Sequence, residues 1–368
     1  MVEKIKKDHP HKNQLRLVAW EVTRSCNLSC VHCRAASERG PYPGELKTDK
    51  CVEILDQIAR VGQPIVIITG GEPLLREDIF DLAHHGTQMG LRMVMATNGT
   101  LLTPGITEKM KLSGIKRVSI SLDGATAQEH DQFRNVQGAF EGALAGIELL
   151  RQAGIEFQVN TTVTRHNLHQ VDGILDMAVK LGAVAHHIFL LVPTGRARDM
   201  ANQEIDAREY ERLLHWFYNM RERVPLHLKA TCAPHYYRIL RQEAHARGEK
   251  VDLETYGLDA VTRGCLGGTA FCFISYEGIV QPCGYLELNC GELNESSFES
   301  VWQDSMIFKQ LRDFTAYKGK CGGCEYVRFC GGCRARAFEA TGDYLAEEPL
   351  CVYQPRKAQG TGRKEHSA

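Results

Sequence analysis

Leu17-Val18-Ala19-Trp20-Glu21-Val22-Thr23-Arg24-Ser25-Cys26-Asn27-Leu28-Ser29-Cys30-Val31-His32-Cys33 decides how the rest of the chain reads. A strand-like apolar run leads straight into three cysteines spaced Cys-x3-Cys-x2-Cys. Three thiolates on one tight loop can ligate three corners of a four-iron cluster, leaving the fourth iron without a protein ligand. An open coordination position marks a catalytic metal site rather than a structural one, a logic known best from zinc. The stretch therefore points to an iron that binds and cleaves a small molecule.

Further apolar, β-branched runs follow the first one (17–23) at 65–69, 92–96, 117–122, 157–163 and 186–191. Amphipathic stretches separate them at 48–61, 77–89, 104–113, 139–153 and 168–181, with another at 207–223. Short continuous apolar strands alternating with helical patterns indicate βαβ units and a parallel sheet. The expected fold class is α/β, a partial (β/α)6 TIM-like barrel, with an open doubly wound sheet as the alternative. In either, ligand chemistry gathers at the carboxyl ends of the strands, where the cysteine loop lies.

The chain has 368 residues, 24% charged and 43% hydrophobic, with a formal net charge of −1. That balance leaves no electrostatic footprint for nucleic acid or an anionic membrane. No apolar stretch approaches the ~20 residues of a membrane helix. The Lys- and His-rich start lacks the apolar core of a signal peptide, so a soluble cytoplasmic protein is expected. Fourteen cysteines in that compartment indicate metal rather than disulfides. Residues 1–14 read as an N-terminal extension, 15–242 as the barrel, 243–356 as a cysteine-rich region held by metal, and 357–368 as a disordered polar tail.

Polar or glycine residues end each of the next three strands: Gly70-Gly71-Glu72-Pro73, Thr97-Asn98-Gly99 and Ser121-Leu122-Asp123-Gly124. Each alone could be a plain turn. Their coincidence at one end of the sheet favours a shared ligand site, with glycines allowing close backbone approach and Glu72 placed to receive an amino group.

Together with the cysteine triad, Gly70-Gly71-Glu72-Pro73 and Ser121-x-Asp123-Gly124 resemble the radical S-adenosylmethionine (SAM) family over residues 15–225. The resemblance implies that SAM chelates the open iron and is cleaved reductively to a 5′-deoxyadenosyl radical. It implies Cys26, Cys30 and Cys33 as cluster ligands, and Gly70, Gly71, Glu72, Asn98, Ser121 and Arg134 as SAM contacts. Many members carry an aromatic residue before the third cysteine; here it is His32. The later pattern Cys265-x12-Gly278-x4-Cys283, Cys321-x2-Cys324-x5-Cys330-x2-Cys333 and Cys351 is similar to the SPASM extension. That likeness implies one auxiliary [4Fe–4S] cluster on Cys321, Cys324, Cys330 and Cys351, and a possible second on Cys265, Cys272, Cys283 and Cys333. Zinc is the alternative for the Cys321–Cys333 block, since four thiolates suit it equally well. Cys51 and Cys290 read as structural, and Cys232 is open to a site role.

Arg196 and Arg198 after the sixth strand, with Lys229, His235, Tyr236 and Arg238, offer cationic and aromatic character suited to a flat, polycarboxylated ligand. A solvated helix with scattered charges is the alternative. The segments 185–196, 229–238 and 332–337 resemble the enzymes of alternative heme biosynthesis, radical SAM proteins acting on tetrapyrroles, and most of all their heme synthases. The implied reaction is oxidative decarboxylation of two propionates of iron-coproporphyrin III to vinyl groups, giving heme b. The implied partners are that tetrapyrrole and a low-potential electron donor such as flavodoxin or ferredoxin, with the chain acting as a monomer. A sibling enzyme (didecarboxysiroheme deacetylase or heme d1 synthesis) and a peptide-modifying SPASM maturase are the alternatives.

Overall fold

In a computed structural model, which describes residues 14–356, six parallel strands stand side by side in chain order. They are β1 (Leu17–Glu21), β2 (Ile65–Thr69), β3 (Arg92–Thr97), β4 (Val118–Ser121), β5 (Phe157–Val163) and β6 (Ala185–Leu190). Their order runs without reversal. A doubly wound sheet would reverse at a switch point, so the alternative architecture is excluded. The expected tail 357–368 and residues 1–13 of the extension lie outside the described residues.

The sheet is larger than the six expected strands. β7 (His227–Thr231) adds parallel to β6. On the other side, β8 (Phe271–Ile274) adds parallel to β1, and β9 (Ile279–Gln281) and β10 (Gly291–Glu292) continue antiparallel. The ten-stranded order is β10-β9-β8-β1-β2-β3-β4-β5-β6-β7. The cysteine-rich region thus shares its hydrogen-bonded ladder with the first strand of the barrel.

Helices Thr48–Val61, Ile79–Gln88, Pro104–Leu112, Ala139–Gln152 and Val171–Leu181 connect successive strands, each burying an apolar stripe. Side chains cap some of the starts: Thr103 Oγ1 accepts from Ile106 N ahead of Pro104, and Asp206 accepts from Arg208 N and Glu209 N at the head of a further helix, Ala207–Met220. Of the helices that the sequence pattern does not announce, two pack inward beside the barrel. Ala127–Arg134, capped by Thr126, turns His130, Phe133 and Arg134 inward. His235–Ala246 packs Tyr236, Ile239 and Leu240 into the core. It also runs through the boundary expected at 242, which therefore falls inside a continuous helix. Among the described residues no helix is long and apolar enough to cross a membrane.

Candidate metal centres

The loop carrying Cys26, Cys30 and Cys33 is gripped by the segments that follow β2, β3, β4 and β6. Gly71 N donates to Thr23 O (2.8 Å) and Glu72 N to Ser25 O (2.7 Å). A Cβ on Gly70 would lie 2.4 Å from Thr23 O, and one on Gly71 2.3 Å from Ser25 O. The close approach these glycines permit is therefore to the backbone of the cysteine loop itself. From the β4 side, Val31 N donates to Phe133 O (3.1 Å), and His32 stacks on Phe133 with ring centroids 4.1 Å apart. An imidazole thus stacks in the aromatic position.

Glu72 is fully buried, and its carboxylate accepts from Leu74 N (3.1 Å), Thr97 Oγ1 (2.8 Å) and Asn98 N (2.9 Å). Burial pushes its pKa up to about 7. The side chain expected to receive an amino group is thus engaged by internal donors that join the β2 and β3 ends. Asn98 in turn donates to Asn27 Oδ1 on the cysteine loop (2.8 Å). Ser121, at the end of β4, has no side-chain partner among the described residues. Asp123, with no exposed surface, accepts from Thr162 N (2.7 Å) and forms an ion pair with Arg134, whose Nη1 points at Cys30 Sγ (3.6 Å).

Burial pushes the Cys26 thiol up to about 12 and raises Cys30, against which Arg134 acts. A bound cation inverts this logic and deprotonates a coordinating thiol outright. Backbone donors already face the sulfurs, Leu28 N to Cys26 Sγ and Ser37 N to Cys33 Sγ, each at 3.4 Å. Around the same rim His32 Nδ1, Arg134 Nε, His166 Nε2, Thr194 Oγ1 and Arg196 Nη2 are buried without partners. Unpaired buried polar atoms are costly and uncommon. Their concentration beside three thiols fits a cluster that carries a polar cosubstrate. His166 and Thr194 were missed in the sequence; their only signal was a place just beyond β5 and β6.

In the C-terminal region Cys321, Cys324, Cys330 and Cys351 line one small cavity of about 20 Å³ with His235 and Arg238. Tyr326 N donates to Cys324 Sγ and Glu348 N to Cys321 Sγ, both at 3.4 Å. Both ring nitrogens of His235 are buried and unpartnered. Four thiols lining one cavity with unused donors suit an iron–sulfur cluster. Among the described residues no three Cys, His, Asp or Glu side chains converge as a single metal ion requires. Cys283 and Cys333 pack in a separate small apolar group. Cys272, grouped with them by the SPASM resemblance, is elsewhere: it lies in β8 opposite Val18 of β1, fully buried in the main core.

Residues 20–178 match the Radical SAM superfamily, and residues 265–333 match SPASM, an iron-sulfur cluster-binding domain. An AdoMet-dependent heme synthase of Nitratidesulfovibrio vulgaris is 56% identical over 342 residues, covering 93% of this chain and 93% of that protein. One from Methanosarcina barkeri is 53% identical, covering 94% of this chain and 98% of its own length. The chain belongs to the radical SAM superfamily. It is a SPASM-type radical SAM enzyme, with [4Fe–4S] clusters and SAM as cofactors. The structure of Streptococcus suis SuiB bound to S-adenosylmethionine shares the fold, with a TM-score of 0.72 at 18% identity over 93% of this chain and 78% of SuiB.

In this radical SAM enzyme the residues expected to clamp a substrate are mostly engaged elsewhere. Arg196 donates through Nε to Cys30 O and through Nη1 to Ser37 O, both at 2.9 Å, and its N–H to Cys33 O (3.0 Å). Gly195, at φ +55°, lets this turn press on the backbone of Cys33 and Arg34. Arg198 is exposed, with Glu339 as its partner. Lys229 lies mid-strand in β7, where burial lowers its pKa and Asp259 opposes that fall. Tyr236 is a core residue, and Arg238 is paired with Glu211 and Gln242. His186 and His187 sit in the first half of β6, away from its carboxyl end. Outer-shell partners of metal ligands are worth about 10–100-fold in metal affinity. Arg196→Ala should therefore cut iron retention at the N-terminal site by about 10-fold or more, while Arg198→Ala leaves it unchanged. Iron analysis under chelator challenge checks both, and equal retention by the two variants would refute this role for Arg196.

Proposed function

We propose that this enzyme is a heme synthase that converts two propionates of iron-coproporphyrin III into vinyl groups, yielding heme b. The full-length likeness to heme synthases, 56% identical over 93% of the chain, carries the reading. The buried polar rim beside the three-thiol loop supports the radical chemistry it requires. When bound, the clusters and SAM supply the radical that takes a hydrogen atom and the acceptor for the released electron. Each propionate gives up that hydrogen from the carbon next to the pyrrole, then carbon dioxide and one electron, leaving an alkene. The balance requires no proton transfer, so no general base is assigned.

Cys26, Cys30 and Cys33 hold the catalytic cluster in this reading. Gly70 and Gly71 shape the cosubstrate's recess through their backbone, and Glu72 fixes that backbone from behind. Asn98 and Ser121 border the recess, while Arg134 and the unpartnered His166 and Thr194 present polar atoms to it. Cys321, Cys324, Cys330 and Cys351 hold an auxiliary cluster. The barrel and the cysteine-rich region meet after the helix His235–Ala246. The enzyme works in the cytoplasm as a monomer, fed by a low-potential flavodoxin or ferredoxin.

The test is incubation of anaerobically reconstituted enzyme with SAM, a reductant and iron-coproporphyrin III, followed by mass analysis of the porphyrins. Loss of two carboxyl groups with formation of 5′-deoxyadenosine is expected. Unchanged porphyrin alongside SAM cleavage would overturn the substrate assignment and leave the family assignment standing.

A further inference from the structure

We propose that Cys232 is the fourth thiolate of the second auxiliary cluster, beside Cys265, Cys283 and Cys333, and that Cys272 is a core residue. The proposal rests on the reading that a second auxiliary cluster forms. Cys272 occupies the second position of β8, between β1 and β9, with no exposed surface. Its neighbouring thiol is Cys290, and its near cation is Arg312. Reaching the other three cysteines would mean pulling a residue out of an inner strand.

Cys232 follows β7 directly. Its φ of +55° lies in the left-handed region, which a residue bearing a side chain adopts only where its surroundings hold it. Here they do: Tyr210 Oη (3.2 Å) and Arg336 Nη1 (3.1 Å) both donate to the Cys232 carbonyl. The resulting turn places its thiol beside Cys333 and Cys283. Cys232, Cys283 and Cys333 share one small apolar group with Val192, Leu286 and Ala335, separate from the main core. Cys265 lies between the two thiol groups: its N–H donates to Cys330 O (3.2 Å), and its charge acts on Cys283. Its neighbour Gly264 presses on Pro234 so closely that a Cβ there would sit 2.3 Å from Pro234 Cβ. Three thiols thus share one apolar group and a fourth, Cys265, lies near them; three of the four come from the cysteine-rich region and one from the end of a barrel strand.

The test compares full-length wild type, Cys232→Ala and Cys272→Ala, each reconstituted anaerobically with iron and sulfide and assayed without porphyrin. A SAM-induced change in the spectrum of the N-terminal cluster certifies that each chain is folded. Cys232→Ala should lose up to about four iron atoms per chain, or keep the iron with an altered auxiliary EPR signal that responds to added imidazole. Cys272→Ala should match wild type in iron content and spectrum. Should Cys232→Ala fail to fold, Cys232→Ser keeps the side-chain size and is read by the same EPR change. The proposal is overturned if the Cys232 variants match wild type in both readouts, or if Cys272→Ala loses auxiliary iron. Because nothing here depends on the porphyrin, a failed heme synthase assay leaves this result intact.

Discussion

Cys30→Ala should abolish SAM cleavage, with 5′-deoxyadenosine falling to background and about four iron atoms lost per chain. Cys30 is the most enclosed of the three loop thiols in its contacts. Arg134 Nη1 reaches its sulfur, Arg196 Nε holds its carbonyl, and Cys33 N donates to the same carbonyl. Removing a thiolate from a three-thiolate site takes away a bond to iron, a larger loss than the about 100-fold assigned to outer-shell partners. It also leaves the Arg134 guanidinium with only Asp123 as counter-charge. Chromatography of reaction mixtures and iron analysis would check the expectation. Persistent 5′-deoxyadenosine from this variant would show that the loop is not the catalytic metal site.

Arg336→Met should be the most destabilising single substitution outside the cysteines. Arg336 is 2% exposed, yet its guanidinium pairs with Glu204 (2.7 Å) and Glu348 (3.4 Å) and donates to the carbonyls of Leu191 (2.9 Å) and Cys232 (3.1 Å). It therefore ties the ends of β6 and β7 to the helix Arg334–Thr341. Breaking a buried ion pair from one side typically costs about 3–5 kcal/mol, because the partner charge is left unpaired. Glu348 has no exposed surface and also accepts from Cys333 N (2.5 Å), so the damage should spread to the cysteine-rich region. The expected result is a thermal midpoint several degrees lower under anaerobic conditions, partly restored by adding Glu348→Gln. A midpoint equal to that of wild type would remove Arg336 as the linchpin between the two regions.

The six barrel strands were legible because apolar, β-branched runs such as Ile65–Thr69 recur between helical patterns. β7 was not, because His227-Leu228-Lys229-Ala230-Thr231 alternates polar with apolar residues. β8 is apolar but only four residues long. Its partner β1 is some 250 positions earlier, and local periodicity carries no information about that pairing. The helix Ala127–Arg134 escaped notice because Gln128, Glu129, Asp131 and Gln132 dilute its apolar stripe. The cysteine triad was visible as a motif. Spacing could not tell that Cys272 points into a sheet core while Cys232, forty residues earlier, lies among the other thiols. Residue type suggested that Arg196 grips a ligand; only its contacts reveal that it braces the loop.

β1 is an inner strand solely because β8 returns to cover its outer side, from Leu17 opposite Phe271 to Trp20 opposite Ile274. A polypeptide ending before β8 would present that apolar ribbon with a row of bare peptide groups, a template for sticking to other chains. During synthesis the barrel strands emerge ahead of β8, so the newborn protein passes through an adhesive stage that ends only when Phe271–Ile274 arrives.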